Sequence, residues 1–176
     1  MVAVREADDL AAASDALVEA YRDVVVKAGK GVEHSREVAR VLGAVGCNEA
    51  VRAAGLLHDV VEDTPWTVAD VDRRFGPAVT ALVAAVTEDP AITNYRARKG
   101  ALREQIARAG AAAIDIALAD KVASLRYALE RGKRPPKRKL AHYEATLALA
   151  TDAEHPELAA QAAELLMALE AREPRA

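Results

Sequence analysis

Leu56–Thr64 reads LLHDVVEDT, and the rest of the chain is read outward from it. On a helix His58 and Glu62 are four residues apart, as are Asp59 and Asp63, so each pair shares a face one turn apart. An apolar run, Ala53, Ala54, Leu56 and Leu57, leads into them and belongs against a core. Three carboxylates this close repel one another and are costly beside apolar surface. A divalent cation resolves that cost, and imidazole with carboxylate is a ligand set suited to Mn, Fe or Zn. A His-Asp dipeptide alone is a weak signal, which an acidic helix end facing solvent explains equally well.

Two further residues tilt the reading. Upstream, GVEHSREVARVL puts His34 just ahead of a helix; downstream, IDIALADKVASL puts Asp120 on the most apolar helix of the chain. An unpaired carboxylate is expensive there, and the adjacent Lys121 is expected to point the wrong way to pair with it. A metal shared by His34, His58, Asp59 and Asp120 accounts for all four residues. Two His and two Asp from three helices make a mixed N/O site with positions open to water and substrate.

Around this centre the chain reads as all-α, a compact fold of about eight helices. Its 176 residues carry 52% apolar side chains but only 3% aromatics, and alanine, the strongest helix former, is the commonest residue. A single domain over 1–176 is expected, with the motifs within about 27–131 and C-terminal helices over 137–172. Net charge is -3, with 24 basic and 27 acidic residues, which argues against a nucleic-acid coat. One cysteine, Cys47, excludes a disulfide framework. No apolar run is long enough for a membrane span and the N-terminus lacks a signal-peptide core, so a cytoplasmic protein is expected.

Periodicity and breakers place the helices. The first runs from about Asp8 to Lys27 and is closed by Gly29 and Gly31. Ser35 is the expected N-cap of a second, closed by Gly46, and Asn48 caps a third from Glu49 to about Val61. Thr67 and Asp70 form a capping box for a helix ending at Phe75-Gly76, and Pro77 opens another to about Val86. After the loop Thr87–Thr93, Asn94 caps a helix ending at Gly110. The next, about Ala112 to Arg131, is apolar all round and hence central. Two more follow Lys133–Lys139 and end near Arg172.

The order H … HDxVEDT … FG … VT … LADK resembles the HD-domain metal-dependent phosphohydrolases. More narrowly it is similar to the alarmone hydrolase branch, the hydrolase domain of RelA/SpoT proteins and the stand-alone small alarmone hydrolases. The matching stretches are HDVVEDT (His58–Thr64), RRFGPAVTALVAAVTED (Arg73–Asp89) and LADKVASLR (Leu118–Arg126). The resemblance implies an all-helical domain with one Mn2+ held by His34, His58, Asp59 and Asp120. It implies that Glu62 and Asp63 position and activate the attacking water. It also implies a small-molecule nucleotide substrate, guanosine tetra- or pentaphosphate, which loses its 3′-pyrophosphate. Neither nucleic acid nor membrane is implied as a partner, and the oligomeric state is left open.

A polyanionic substrate on an acidic protein needs a local basic patch. The resemblance points to RARK, Arg96–Lys99, with Arg98 and Lys99 as candidates, and to the segment Lys133–Lys139 followed by Tyr143, with Lys139 and Tyr143 as candidates. Each patch also reads as a solvated helix face. Two positions depart from the family pattern. Ser124 stands where an Asn is usual, and Gly31 where a Tyr is usual, leaving Lys27 and Lys30 to keep charge there. Both changes fall where base and ribose would be held, and neither touches a metal ligand. They keep open a different nucleotide, such as an adenosine alarmone, and a non-catalytic nucleotide-binding protein. Of the remaining candidates, His142 and His155 lack acidic partners at ligand spacing and read as surface or helix-end residues, Cys47 has no nearby base, and Trp66 either walls the pocket or anchors its turn.

Overall fold

Alanine and leucine at helical spacing form the elements their periodicity predicts. The protein, here a computed structural model, is described over residues 3–27 and 30–171 and is all-helical, with no strand among the described residues. Helix α1 spans Ala3–Ala20, α2 Val32–Ala44, α3 Glu49–Leu57 and α4 Val60–Asp63. Helix α5 spans Val68–Val86, α6 Tyr95–Ala109 and α7 Ala111–Glu130. Helix α8 spans Lys137–Leu147, continues as a 3-10 helix over Ala148–Asp152, and is followed by α9, Glu157–Glu170. No helix among the described residues is long and apolar enough to cross a membrane.

The central helix is the one whose sequence is apolar on every side. Helix α7 buries Ile114, Ile116, Leu118, Val122 and Leu125 completely, and α2, α3, α5, α6 and α9 all pack against it. Each such side chain contributes about 1.5–3 kcal/mol by leaving water. This is the scaffold that carries Asp120 into the middle of the bundle.

Caps fall where side-chain chemistry placed them. Asn48 accepts the Val51 N–H at 3.1 Å and Asn94 the Ala97 N–H at 3.0 Å. Thr67 and Asp70 exchange both bonds of a capping box. Gly76, at φ 73°, kinks α5 immediately before Pro77, whose ring disfavours helical geometry in the preceding residue.

Three expected boundaries are corrected. Helix α1 ends at Ala20, not Lys27, and the chain leaves it through a turn into an irregular segment containing Val24–Val26, β-branched residues that lose rotamer freedom in a helix. Gly29 and Arg172 lie outside the described residues. Ser35 does not cap α2, which begins at Val32; Ser35 is buried inside it, its N–H donating to the Gly31 carbonyl at 3.1 Å. Gly31 takes the cap position at φ 80° and ψ -154°, and a Cβ there would meet Val26 Cγ2 at 2.8 Å. The expected helix from Glu49 to Val61 is divided at His58 and Asp59, which lie between α3 and the single turn α4. Both residues keep right-handed helical backbone angles, so the break is a local turn that leaves His58 and Asp59 near helical register.

Candidate active site

His34 comes from the first turn of α2, His58 from the end of α3, and Asp120 from the middle of α7. Each offers a ligand atom, and the three atoms lie within 4.8 Å of one another. The two imidazole rings are 5.3 Å apart, tilted by 57°. Asp59 adjoins the trio through His58, with Oδ1 3.3 Å from His58 Nε2, while His34 Nε2 is 3.0 Å from Asp120 Oδ1. Neither contact has hydrogen-bond geometry, so both Nε2 atoms are buried without a partner.

The tautomer of His58 follows from its surroundings. Its Nδ1 is 2.9 Å from the Gly55 carbonyl, which can only accept, so Nδ1 carries the hydrogen and Nε2 turns a lone pair towards the carboxylates. A lone pair facing carboxylates is repulsive unless a proton or a metal cation stands between them. These residues therefore fit a divalent metal, and the donor set suits a first-row ion. Two lysines add positive charge at the same point. Lys30 pairs with Asp59, and Lys121 pairs with Asp120. The expectation that Lys121 points away from its neighbour is thus wrong, because its long stem curls back to the adjacent carboxylate. Burial would raise the Asp59 carboxyl, but His58 and Lys30 hold it far below the usual range. Burial acts on Asp120 in the same direction and is overridden by Lys121 and His34. Burial would lower the His58 pKa, and the charge and contact of Asp59 outweigh it, leaving His58 raised.

Glu62 and Asp63 share the short turn α4. Glu62 Oε1 accepts the Glu88 N–H at 2.7 Å, and Asp63 Oδ2 accepts the Tyr21 hydroxyl at 3.2 Å. Glu62 keeps access to solvent, yet the protein packed around its carboxyl raises its pKa, overriding the Glu88 N–H, and the Asp59 charge adds to the rise. A carboxyl raised in this way is a competent base nearer neutrality. Trp66 anchors its turn: its backbone N–H donates to Thr64 Oγ1 at 3.1 Å, and the Arg74 guanidinium lies 4.4 Å from its ring centre.

A cavity of about 60 Å³ lies against these groups, lined by Lys30, His58, Asp59, Glu62, Lys99 and Asp120, with an apolar floor that includes Leu102 and Ile116. The expected substrate-binding residues distribute around it. Lys27 lines a neighbouring cavity of about 300 Å³ together with Lys30 and Asp63. Arg98 braces a loop, pairing with Glu88 and donating to the carbonyls of Ile92 (2.9 Å) and Thr93 (3.1 Å). Lys99 pairs with Glu88 and still lines the central cavity. Ser124 Oγ donates to Asp120 Oδ1 at 3.3 Å. Tyr143 on α8 is buried, with Lys121 Nζ 5.4 Å and Lys139 Nζ 5.6 Å from its ring centre. Burial lowers the Lys139 pKa, as do the charges of Lys30 and Lys99, against the pull of Asp120.

Sequence reasoning missed part of this basic cleft. A cavity of about 430 Å³ is lined by Tyr95, Arg96, Lys99, Arg103, Arg138 and His142, among others. Arg103 was findable, because it lies four residues after Lys99 on the same helix. His142, expected at the surface, is buried, and its Nδ1 takes a hydrogen bond of 2.9 Å from Arg103. Burial, with Lys121, Lys99 and Arg103, pushes its pKa down to about 3, so it stays neutral. His155 is half-buried and close to Cys47 and Asp115. This corrects the expectation that His155 lacks an acidic neighbour and Cys47 a nearby base.

An all-helical bundle that brings His34, His58 and Asp120 together, with Asp59 beside them, has the layout of a metal-site domain of the HD type. The HD domain family model matches residues 13–149. The guanosine-3′,5′-bis(diphosphate) 3′-pyrophosphohydrolase MESH1 of Drosophila melanogaster is 41% identical over 97 residues, 54% of this chain and 54% of that protein. The human MESH1 protein is 36% identical over 126 residues, 69% of this chain and 70% of that one. Coverage of these relatives thus runs from about half to about two thirds of their length. Among solved structures, one titled as a metazoan ortholog of SpoT that hydrolyzes ppGpp superposes with a TM-score of 0.75 at 27% identity. That superposition covers 91% of this chain and 94% of the other. The chain belongs to the HD domain family, in the branch that holds the MESH1 proteins.

Proposed function

We propose that the chain is a metal-dependent phosphohydrolase that removes the 3′-pyrophosphate from guanosine tetra- and pentaphosphate, releases pyrophosphate, and uses one Mn2+ per chain in the cytoplasm. The observation that carries this reading is the pair of buried, unpartnered nitrogens, His34 Nε2 and His58 Nε2, turned towards Asp120 and Asp59 beside a basic cleft. Its relatives, named for this reaction, support it.

In this account His34, His58, Asp59 and Asp120 hold the metal. When bound, such a cation lowers the pKa of water and screens phosphate charge. Glu62 takes the proton of the attacking water, its raised pKa placing it nearer the working pH. Asp63, fixed by the Tyr21 hydroxyl, orients that water. Lys30 and Lys99, which line the central cavity, meet the phosphates together with Lys139, whose charge acts on both of them, and Lys27 extends the positive rim towards the neighbouring cavity. Arg98 acts through the loop it braces, which also presents the Glu88 N–H to Glu62. Tyr143 supports Lys121 and Lys139, both of which lie near its ring.

Ser124 favours a second reading, a different base. Its hydroxyl is turned back to Asp120, so it does not offer the amide pair with which an Asn would meet a nucleoside. A panel of guanosine and adenosine 3′-pyrophosphates separates the two readings. Exclusive turnover of the guanosine compounds removes the second, and turnover of neither removes both. Glu62→Gln tests the mechanism: it is expected to keep the metal and lose turnover, and unchanged turnover would reject Glu62 as the base.

A further inference from the structure

A second group of ligating side chains shares no residue with the site above. Cys47 in the loop between α2 and α3, Asp115 near the start of α7, and His155 just before α9 bring a sulfur, a carboxylate oxygen and a ring nitrogen within 4.8 Å of one another. We infer that Cys47, Asp115 and His155 form a second metal site, which takes Zn2+ or a similar borderline cation.

Three observations support this. Asp115 is only 1% exposed, and among the described residues no lysine or arginine pairs with it; its hydrogen bond comes from the His155 backbone N–H at 3.1 Å. A buried carboxylate without a cation is costly, so the fold has placed a ligand where it needs a positive charge. His155 is held by a contact of 3.3 Å between its Nδ1 and Glu157 Oε1, and Glu154 and Glu157 add negative charge around Cys47. The donor set is also selective. Thiolate with imidazole and carboxylate is a borderline-to-soft set that prefers Zn2+ over Mn2+, whereas the centre built from His34, His58, Asp59 and Asp120 contains no sulfur.

The same geometry argues against a nucleophilic Cys-His-Asp arrangement. Burial, and then the charges of Asp115, Glu154 and Glu157, push the Cys47 thiol up to about 12, so without a cation it is a neutral, unreactive thiol. Metal binding converts the thiol to thiolate and releases its proton to solvent. Three protein ligands leave one tetrahedral position open to water. Because the ligands come from three separate segments, the bound ion pins the α2–α3 loop and the approach to α9 onto the central helix.

The test is a Co2+ titration of the metal-stripped full chain. The expected result is two cobalt ions per chain, with a thiolate-to-cobalt charge-transfer band in the near ultraviolet. Cys47→Ser and His155→Ala should each remove that band and one equivalent of metal, while Asp59→Ala should remove the other equivalent and keep the band. Zn2+ should also raise the Tm of the parent protein more than that of Cys47→Ser, because a ligand that binds only the folded state stabilises it. Absence of the thiolate band in the parent protein, or an undiminished band in His155→Ala, would overturn the inference. Neither outcome depends on nucleotide turnover, so this site and the proposed hydrolase activity fail or stand separately.

Discussion

Gly55 is where packing and metal affinity meet. A Cβ added there would stand 2.5 Å from Leu42 Cδ1 and 3.5 Å from Val38 Cγ1. Both neighbours are fully buried in α2, so neither can swing into solvent. Gly55→Ala therefore pushes α3 away from α2. Overpacking costs about 1–3 kcal/mol, and replacing a helical glycine by alanine returns about 1 kcal/mol, which leaves a net loss of about 1 kcal/mol. For a chain of this size that lowers Tm by about 2–4 °C. The effect on metal is larger, because the Gly55 carbonyl orients His58 through Nδ1 at 2.9 Å. Disturbing such a supporting bond weakens metal affinity by about tenfold or more. Thermal unfolding and a Mn2+ titration of parent and variant read the two effects separately. A variant with unchanged Tm and unchanged Mn2+ affinity would refute the reasoning, since α2 would then have absorbed the methyl group without moving His58.

Glu62→Gln should lose at least about 100-fold in turnover while keeping a Tm equal to or above that of the parent. Its raised carboxyl costs the fold stability once ionised above pH 4.5, and the amide oxygen can still accept the Glu88 N–H. Lys99→Ala should raise KM, with added salt narrowing the gap to the parent; a salt-independent gap would place Lys99 outside the phosphate path. Acid should release the metal. Burial lowers the His58 pKa but Asp59 overrides it, so in the metal-free protein the group stands above 6.5. Its contribution to metal-free stability is full below 6.5 and fades as pH rises through the folded value, while below that value a proton competes with the cation for Nε2. The Tm gain from Mn2+ should therefore shrink as pH falls from 8 to 6, and a gain that is flat with pH would contradict this.

The helices were legible because alanine and leucine recur at helical spacing and because Asn48, Thr67, Asp70 and Asn94 cap as their side chains dictate. His34, His58 and Asp120 were legible because a charged or ligating group on an apolar stretch needs a partner. The partners themselves were not, because pairing is decided by distance in space. Lys121 reaches Asp120 by curling its stem, and Lys30, just ahead of α2, reaches Asp59, just beyond α3. His142 is buried by α8 and the basic residues facing it, which its own neighbours in sequence do not announce. Cys47, Asp115 and His155 come together because α2 and α3 pack on one part of α7 and α9 on another. Gly31, read from sequence as a lost aromatic, is required by its left-handed backbone and by Val26 beside it. Where α1 stops was obscured because Val24 continues its apolar stripe past the point at which the helix ends.

Pyrophosphate release from guanosine tetraphosphate by metal-stripped protein, with and without Mn2+, tests the central claim most directly. The account predicts release only when Mn2+ is present, and its loss in Asp59→Ala. Release that is unaffected by metal, or no release from a protein shown to hold Mn2+ at His34, His58, Asp59 and Asp120, would contradict it.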